Sequence, residues 1–161
     1  VKDLKAGREP DLLAPLAATT EIALGTPALL PNDYCSDVHE RLSLYKKLAT
    51  ADSDDAVSAL HEELVDRFGK LPPQAQALID THRLRLAAAP VGIRKIDATD
   101  AALQIQFVPN PPIEPIRIIE LVQNHKQIKL AGQDRLRVEG RYEDLAARVT
   151  ACRQLIRMLA P

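Results

Sequence analysis

Apolar positions recur at helical spacing in three successive stretches of the first half of the chain. Asp37 stands at an N-cap position with Glu40 three residues on, a capping-box arrangement. Val38, Leu42, Tyr45 and Leu48 then form one predicted stripe, with Leu42 and Tyr45 read as core. A second helix is predicted from Asp54 to Phe68, capped near Ser53 and stopped at Gly69, with Val57, Leu60, Leu64 and Phe68 inward. Asp54 and Asp55 lie in its first turn, where the helix dipole favours negative charge. A third opens at Pro72-Pro73, runs through Leu78, Ile79, His82, Leu84 and Leu86, and ends before Pro90 and Gly92.

The period then changes from helical to alternating. Ile93 to Ala98 and Leu103 to Val108 read as a hairpin joined at Thr99-Asp100-Ala101, with Leu103, Ile105 and Phe107 on one face. Pro115 to His125 reads as a helix burying Ile118, Ile119, Leu121 and Val122. Two short strands follow, Ile128–Leu130 and Leu136–Val138. A last helix from Tyr142 to Leu159 buries Leu145, Val149, Cys152, Ile156 and Leu159. Glu21 to Leu24 is a further short strand. Residues 1–19 read as a tail and linker, with Lys2 to Arg8 a helix end stopped by Gly7. The predicted plan is α+β: an N-terminal helical segment of three helices, then a ββαββα unit whose small, mainly antiparallel sheet is covered by helices.

Composition narrows what this plan can do. The 161 residues are 46% hydrophobic and 27% charged, an ordinary globular balance that excludes disorder. Aromatics are 3% with no Trp, so base-stacking on single-stranded nucleic acid lacks its platforms. No stretch approaches the roughly 20 apolar residues of a membrane span. Two cysteines 117 positions apart make a poor disulfide framework, and a reducing cytoplasm is expected.

Charge is divided between the halves. Residues 1–80 hold 8 basic and 14 acidic side chains; residues 81–161 hold 13 basic, ten of them Arg, and 8 acidic. Such asymmetry suits either two binding faces or two solvated ones.

Catalytic signatures are missing from the sequence. It carries no GxxxxGK[ST], GxGxxG or GxSxG motif, so neither a nucleotide site nor an activated serine is implied. Cys35 and His39 form one local thiol–imidazole pair, short of the three or four ligands a metal needs. Cys152 falls on an apolar stripe and reads as an inert small hydrophobe. Glu63 and Asp66 share a face of the second helix outside its buried stripe, where carboxylates one turn apart can receive Arg forks from a partner. Arg94, Lys95, Arg135 and Arg137 are the alternative candidates, as a phosphate-tracking surface, although acidic residues interleave with them.

The segment Leu29-Leu30-Pro31-Asn32-Asp33-Tyr34, continued by Asp37-Val38 and Arg41-Leu42 to Tyr45-Lys46, resembles the C-terminal domain of the bacterial transcription-repair coupling factors. Glu63 to Gly69 with Leu71-Pro72, Leu84 to Leu86, and Gly92 to Ile96 agree with it, and Leu4 to Pro10 resembles that family's exit from its helicase-like motor. The resemblance implies residues 1–19 as the tail of that motor and 20–161 as a regulatory domain. It implies a non-enzymatic, autoinhibitory role without cofactor or metal. In that role the domain packs on the parent's UvrB-like N-terminal module and masks its UvrA-binding surface until RNA polymerase is engaged in transcription-coupled DNA repair. Other domains of the parent would handle polymerase and DNA. By carry-over, Glu63 and Asp66 are the expected contacts, while Phe68 fills the core and Gly69 permits a left-handed turn. The alternative is an accessory nucleic-acid-binding module using the Arg-rich half.

Overall fold

A computed structural model describes residues 20–160; the readings made for residues 1–19 lie outside the described residues. Short strand β1 (Glu21–Ala23) leads into three helices, α1 (Val38–Thr50), α2 (Asp54–Phe68) and α3 (Pro73–Ala88). A 3-10 turn (Ala89–Val91) then enters the hairpin of β2 (Ile93–Ala98) and β3 (Ala102–Phe107). Helix α4 (Pro115–Asn124), strands β4 (Ile128–Gly132) and β5 (Arg135–Glu139), and helix α5 (Leu145–Leu159) complete the order. The five strands form one sheet in the order β1-β2-β3-β5-β4, with β1 parallel to β2 and every other pair antiparallel. The α+β plan and the mainly antiparallel sheet are as the alternation predicts.

Alternation puts Leu103, Ile105 and Phe107 of β3, with Ile96, Leu136 and Val138 of its neighbours, on one face. There they meet Leu84 and Ala88 of α3 and Val149, Cys152, Leu155 and Ile156 of α5. A second cluster joins Leu30, Cys35, Leu44, Leu48, Val57, Leu64, Leu78 and Ile79 between α1, α2 and the first half of α3. Helix α3 serves both clusters, burying Ala75, Leu78 and Ile79 in one and Leu84 and Ala88 in the other. A helix wedged between two cores is apolar on several sides, which explains its lack of a single stripe.

The motif around Pro31 is a scaffold for this second cluster. Pro31 O accepts N–H bonds from Tyr34 and Cys35, turning the chain into α1. Asp37 caps α1 by accepting from His39 N at 2.8 Å and Glu40 N at 3.4 Å. Leu30 N donates to Tyr45 Oη at 2.8 Å, and Arg41 Nη1 donates to Cys35 O and Asn32 Oδ1 at 2.7 and 2.8 Å. Tyr34 Oη reaches Gly69 O at 2.7 Å, closing the end of α2. Gly69 has φ +93°, the positive value its position after α2 implied.

Three sequence expectations are corrected here. In α1, Val38 and Leu42 are 53% and 60% exposed, and Leu44 and Leu48 are the buried leucines. The inward row is Arg41, Leu44, Tyr45 and Leu48, an equally good i, i+3, i+4, i+7 set hidden because it begins with a charged residue bonded to the Pro31 turn. In α4, Ile118, Leu121 and Val122 lean on the core, but Ile119 is 46% exposed. Helix α5 begins at Leu145 rather than Tyr142, because Asp144 caps it by accepting Ala147 N–H at 2.8 Å.

Arg85 closes the other end of α1, donating to Leu48 O at 3.2 Å and Ala51 O at 3.3 Å. Its Nε also donates to His82 Nδ1 at 3.3 Å, which requires a neutral imidazole. Burial, then the Arg85 charge, pushes the His82 pKa down to about 4. The unfolded chain therefore takes up a proton near pH 6.5 that the folded chain refuses. Stability supplied by neutral His82 is complete above pH 6.5 and is lost as pH falls toward 4, by about 3 kcal/mol. Urea midpoints at pH 7 and pH 4.5 check this: His82→Gln keeps an acceptor for Arg85 and is expected to show a smaller loss than the parent sequence.

Candidate functional site

Helix α2 is positioned by Val57 and Leu64, both fully buried, so its opposite side faces solvent. The two predicted carboxylates lie on different flanks of that outer side. Glu63 is on the α1 flank, where Arg67 Nη1 donates to Glu63 Oε2 at 2.8 Å and Arg67 Nη2 pairs with Glu40. The Arg67 guanidinium lies 4.9 Å from the Phe68 ring centroid, and Phe68 packs against Tyr34 with centroids 5.5 Å apart and the rings tilted by 54°. Glu40 is thus used as an ion-pair partner across α1 and α2, in addition to its place in the first turn.

Asp66 faces the other way, toward α3. It lines a shallow groove of about 360 Å³ with Ser58, His61, Glu62, Val65 and Arg83. Asp66 and Glu62 are exposed and form no ion pair with another described residue, and Val65 beside them is 40% exposed. Glu62 is the residue sequence reasoning passed over. Its i, i+4 spacing to Asp66 was the available signal, since that spacing stacks side chains on one flank. Arg83 forms the floor, its Nη1 bonded to Asp54 Oδ1 at 2.9 Å and Ser58 Oγ at 3.0 Å. The site therefore offers two open carboxylates and an apolar side chain to an incoming cation, next to a third carboxylate already held by Arg67.

Of the alternative basic candidates, the fold brings three to the solvent face of the sheet. The register aligns Lys95 with Gln106 and Gln106 with Arg135, while Arg137 lies one row over beside Lys129. Arg94 is exposed at the irregularity in β2. Arg135 and Arg137 are answered within the sheet. Glu139 accepts from Lys129 at 3.0 Å and Arg137 at 3.4 Å, and Asp134 lies 3.7 Å from Arg135. The Lys129 bond, then Arg137, holds Glu139 below the usual carboxylate range.

Both thiols are free and buried. Burial raises the Cys35 pKa and pushes that of Cys152 up to about 12, so both are thiols rather than thiolates at neutral pH. His39 is exposed at the start of α1, whereas Cys35 is buried. Among the described residues no group of three or more His, Cys, Asp and Glu is gathered as a metal would require. No described helix is long and apolar enough to cross a membrane.

The TRCF domain profile matches residues 24–118, from the end of β1 into α4. The chain belongs to the TRCF domain family. It is 38% identical over 160 residues to the transcription-repair-coupling factor of Escherichia coli, covering 99% of this chain and 14% of that protein. The Haemophilus influenzae factor is 42% identical over 123 residues, 76% of this chain and 11% of that one. The TRCF domain described here thus spans about one-seventh of the length of such a relative. A crystal structure of a C-terminal domain of transcription-repair coupling factor superposes with a TM-score of 0.68 at 22% identity, covering 88% of this chain and 94% of that one. That likeness shows the fold, including the parts of the TRCF domain beyond the profile match.

Proposed function

We propose that this TRCF domain is an autoinhibitory interaction module of a transcription-repair coupling factor. It packs on the UvrB-like N-terminal module of its parent and masks the UvrA-binding surface until RNA polymerase is engaged in transcription-coupled repair. The parent would be an ATP-driven DNA translocase, and this domain a non-catalytic part of it with no cofactor of its own. The observation that carries the reading is the outer side of α2, where Glu62 and Asp66 stand open around exposed Val65. Open carboxylates with no desolvated pocket around them suit the reception of arginines and do not suit acid–base catalysis. A clamp that must open rests on few pairs, because moving an equilibrium from 1:99 to 99:1 takes roughly 5.5 kcal/mol of differential binding. The nucleic-acid alternative draws less support, since Arg137 and Arg135 of its four candidates lie against Glu139 and Asp134.

Asp66→Arg in the full-length parent is expected to raise UvrA affinity by about tenfold, the effect of turning one partner of a charge pair into a repulsion. Glu63→Arg is expected to act in the same direction while also breaking the Arg67 pair within the domain. Affinity measured by calorimetry decides it: unchanged UvrA binding in both variants removes the assignment of this site.

A further inference from the structure

Strand β4 is one edge of the sheet, and its outer side pairs with no described strand. Glu139 N donates to Gln127 O at 2.8 Å, which makes Gln127 and Glu139 a hydrogen-bonded pair. The antiparallel alternation repeats that pairing at Lys129 and Arg137 and turns the N–H and C=O of Leu130 outward. Ile128 C=O points the same way, whereas Ile128 N–H is held by His125 O at 3.1 Å. An open donor and acceptor on an edge strand are a template for another strand.

The apolar surface under this edge is open as well. Leu130 stands opposite buried Leu136, so both face the inner side of the sheet, yet Leu130 is 58% exposed. Helix α4 packs on that side, touching both β4 and α5. Its Arg117 flank is turned to α5, where Arg117 Nη1 donates to Met158 O at 3.4 Å. Ile119, two residues on and about 200° around the helix, is on the opposite flank, toward the β4 edge. It is 46% exposed, and α4 buries no residue fully. Leu130 and Ile119 thus form an apolar shelf beside an open strand. The solvent side of the same edge is positive, because Lys129 at 3.0 Å and Arg137 at 3.4 Å share the single carboxylate of Glu139. Asp134 answers Arg135 at the hairpin end, and Glu120 lies half a turn from Ile118, on the outermost line of α4.

We infer that the β4 edge is a strand-addition site, and that its occupant is an extended segment of another polypeptide in which apolar and acidic residues alternate. Its backbone bonds to the outward groups of Leu130 and Ile128. Its apolar side chains fall on Leu130 and Ile119, and its carboxylates stand beside Lys129 and Arg137, where one anion serves two cations. A second copy of β4 lacks this complementarity. Paired antiparallel about Leu130, two copies would set both Lys129 side chains on one face with no carboxylate added, the like-charge arrangement that keeps edge strands apart. The site belongs to the sheet cluster and α2 to the helical one, so it stands independently of the autoinhibitory reading.

The probe is a short synthetic peptide alternating valine and glutamate, titrated into the 161-residue chain and followed at the backbone amides by NMR. A saturable shift and slowed exchange of the Leu130 amide are expected. The matching valine–lysine peptide is expected to bind about fivefold more weakly or worse, the upper end of a cross-strand charge effect. Lys129→Glu is expected to reverse that preference. Leu130→Pro removes the outward N–H without removing a bond to β5, and is expected to abolish binding. Ile119→Ser, at an exposed position, is expected to weaken binding severalfold and serves the same purpose if the proline variant does not fold. No saturable change at the Leu130 amide, equal binding of the two peptides, or binding unchanged in Lys129→Glu and Ile119→Ser overturns the site. Concentration-dependent dimerisation that is lost in Leu130→Pro assigns the edge to a second copy and overturns the occupant named here.

Discussion

Arg148→Ala is expected to destabilise the domain by about 3 kcal/mol, lowering its melting temperature by roughly 6–12 °C. Arg148 is 8% exposed and forms no ion pair with another described residue. Its Nη1 donates to Leu24 O at 2.9 Å and its Nε to Tyr142 O at 2.9 Å. One guanidinium therefore ties the chain just after edge strand β1 to the segment leading into α5. Gly25 makes room for it: a Cβ there would lie 2.9 Å from Arg148 Nη1 and 2.8 Å from Ala98 O. Two effects oppose each other in the variant. Removing a buried cation relieves its desolvation, but one buried and one partly buried carbonyl lose their donor at about 1–3 kcal/mol each, and the packed side chain leaves a void. The second effect is larger because both acceptors remain. Strand β1 has three residues and one neighbour, so it is expected to detach first, with faster amide exchange along its pairing to β2. Urea unfolding of Arg148→Ala and Arg148→Lys checks this. Lysine can satisfy one carbonyl at a time and should recover part of the loss. A loss below about 1 kcal/mol in the alanine variant would show that water replaces the guanidinium.

Gly92→Ala is expected to cost a similar amount, about 3–4 kcal/mol, for a different reason. Gly92 has φ +83° at the junction between the 3-10 turn and β2, where its carbonyl accepts Val108 N–H at 2.8 Å. An added Cβ would lie 2.6 Å from Pro112 Cδ and 2.8 Å from Pro111 Cβ. Proline rings do not swing aside as a flexible side chain does, so the Pro109–Pro112 turn must move, and α4 with it. Gly69→Ala is the control. That residue also has positive φ, with ψ −168° where Gly92 has 22°, and nothing lies within 4 Å of its added Cβ, so its cost is backbone strain without a clash, about 1–3 kcal/mol. Chemical denaturation of both variants checks this: a Gly92→Ala loss below about 1 kcal/mol would show that the proline turn yields to the added Cβ.

Much of this fold is legible in the sequence because burial follows period. The alternation in Leu103, Ile105 and Phe107 fixes the inner face of the sheet, and Ser53 with Val57 and Leu64 fixes α2. What escaped is what period does not carry. Arg41 takes an inward position in α1 through hydrogen bonds to the Pro31 turn, so a charged residue begins the row that hydrophobicity alone would start at Val38. Arg148 sits buried on α5 because two backbone carbonyls, one of them 124 residues earlier, converge on it. The parallel pairing of β1 with β2 likewise depends on a long connection, and Thr20 Oγ1 donating to Ile93 O at 2.6 Å fastens it.

The candidate site was half legible. The outer side of α2 is readable from Leu60 and Leu64, and Glu63 and Asp66 both lie on it. Their neighbours are not readable. Glu63 is engaged by Arg67 with Glu40, whereas Asp66 opens with Glu62 onto a groove floored by Arg83 from another helix. The Arg-rich second half shows the converse. Counted along the chain it suggests a phosphate surface, but pairing across strands sets Glu139 between Lys129 and Arg137.

The proposed masking of the UvrA-binding surface is tested most directly by comparing UvrA affinity of the full-length parent with that of the same protein lacking residues 20–160. Salt dependence is measured in both. The account predicts tighter UvrA binding without the domain. It also predicts that raising ionic strength narrows the gap, because screening weakens the charge pairs that hold the clamp. Equal affinity of the two proteins at every salt concentration, or weaker UvrA binding without the domain, would contradict it.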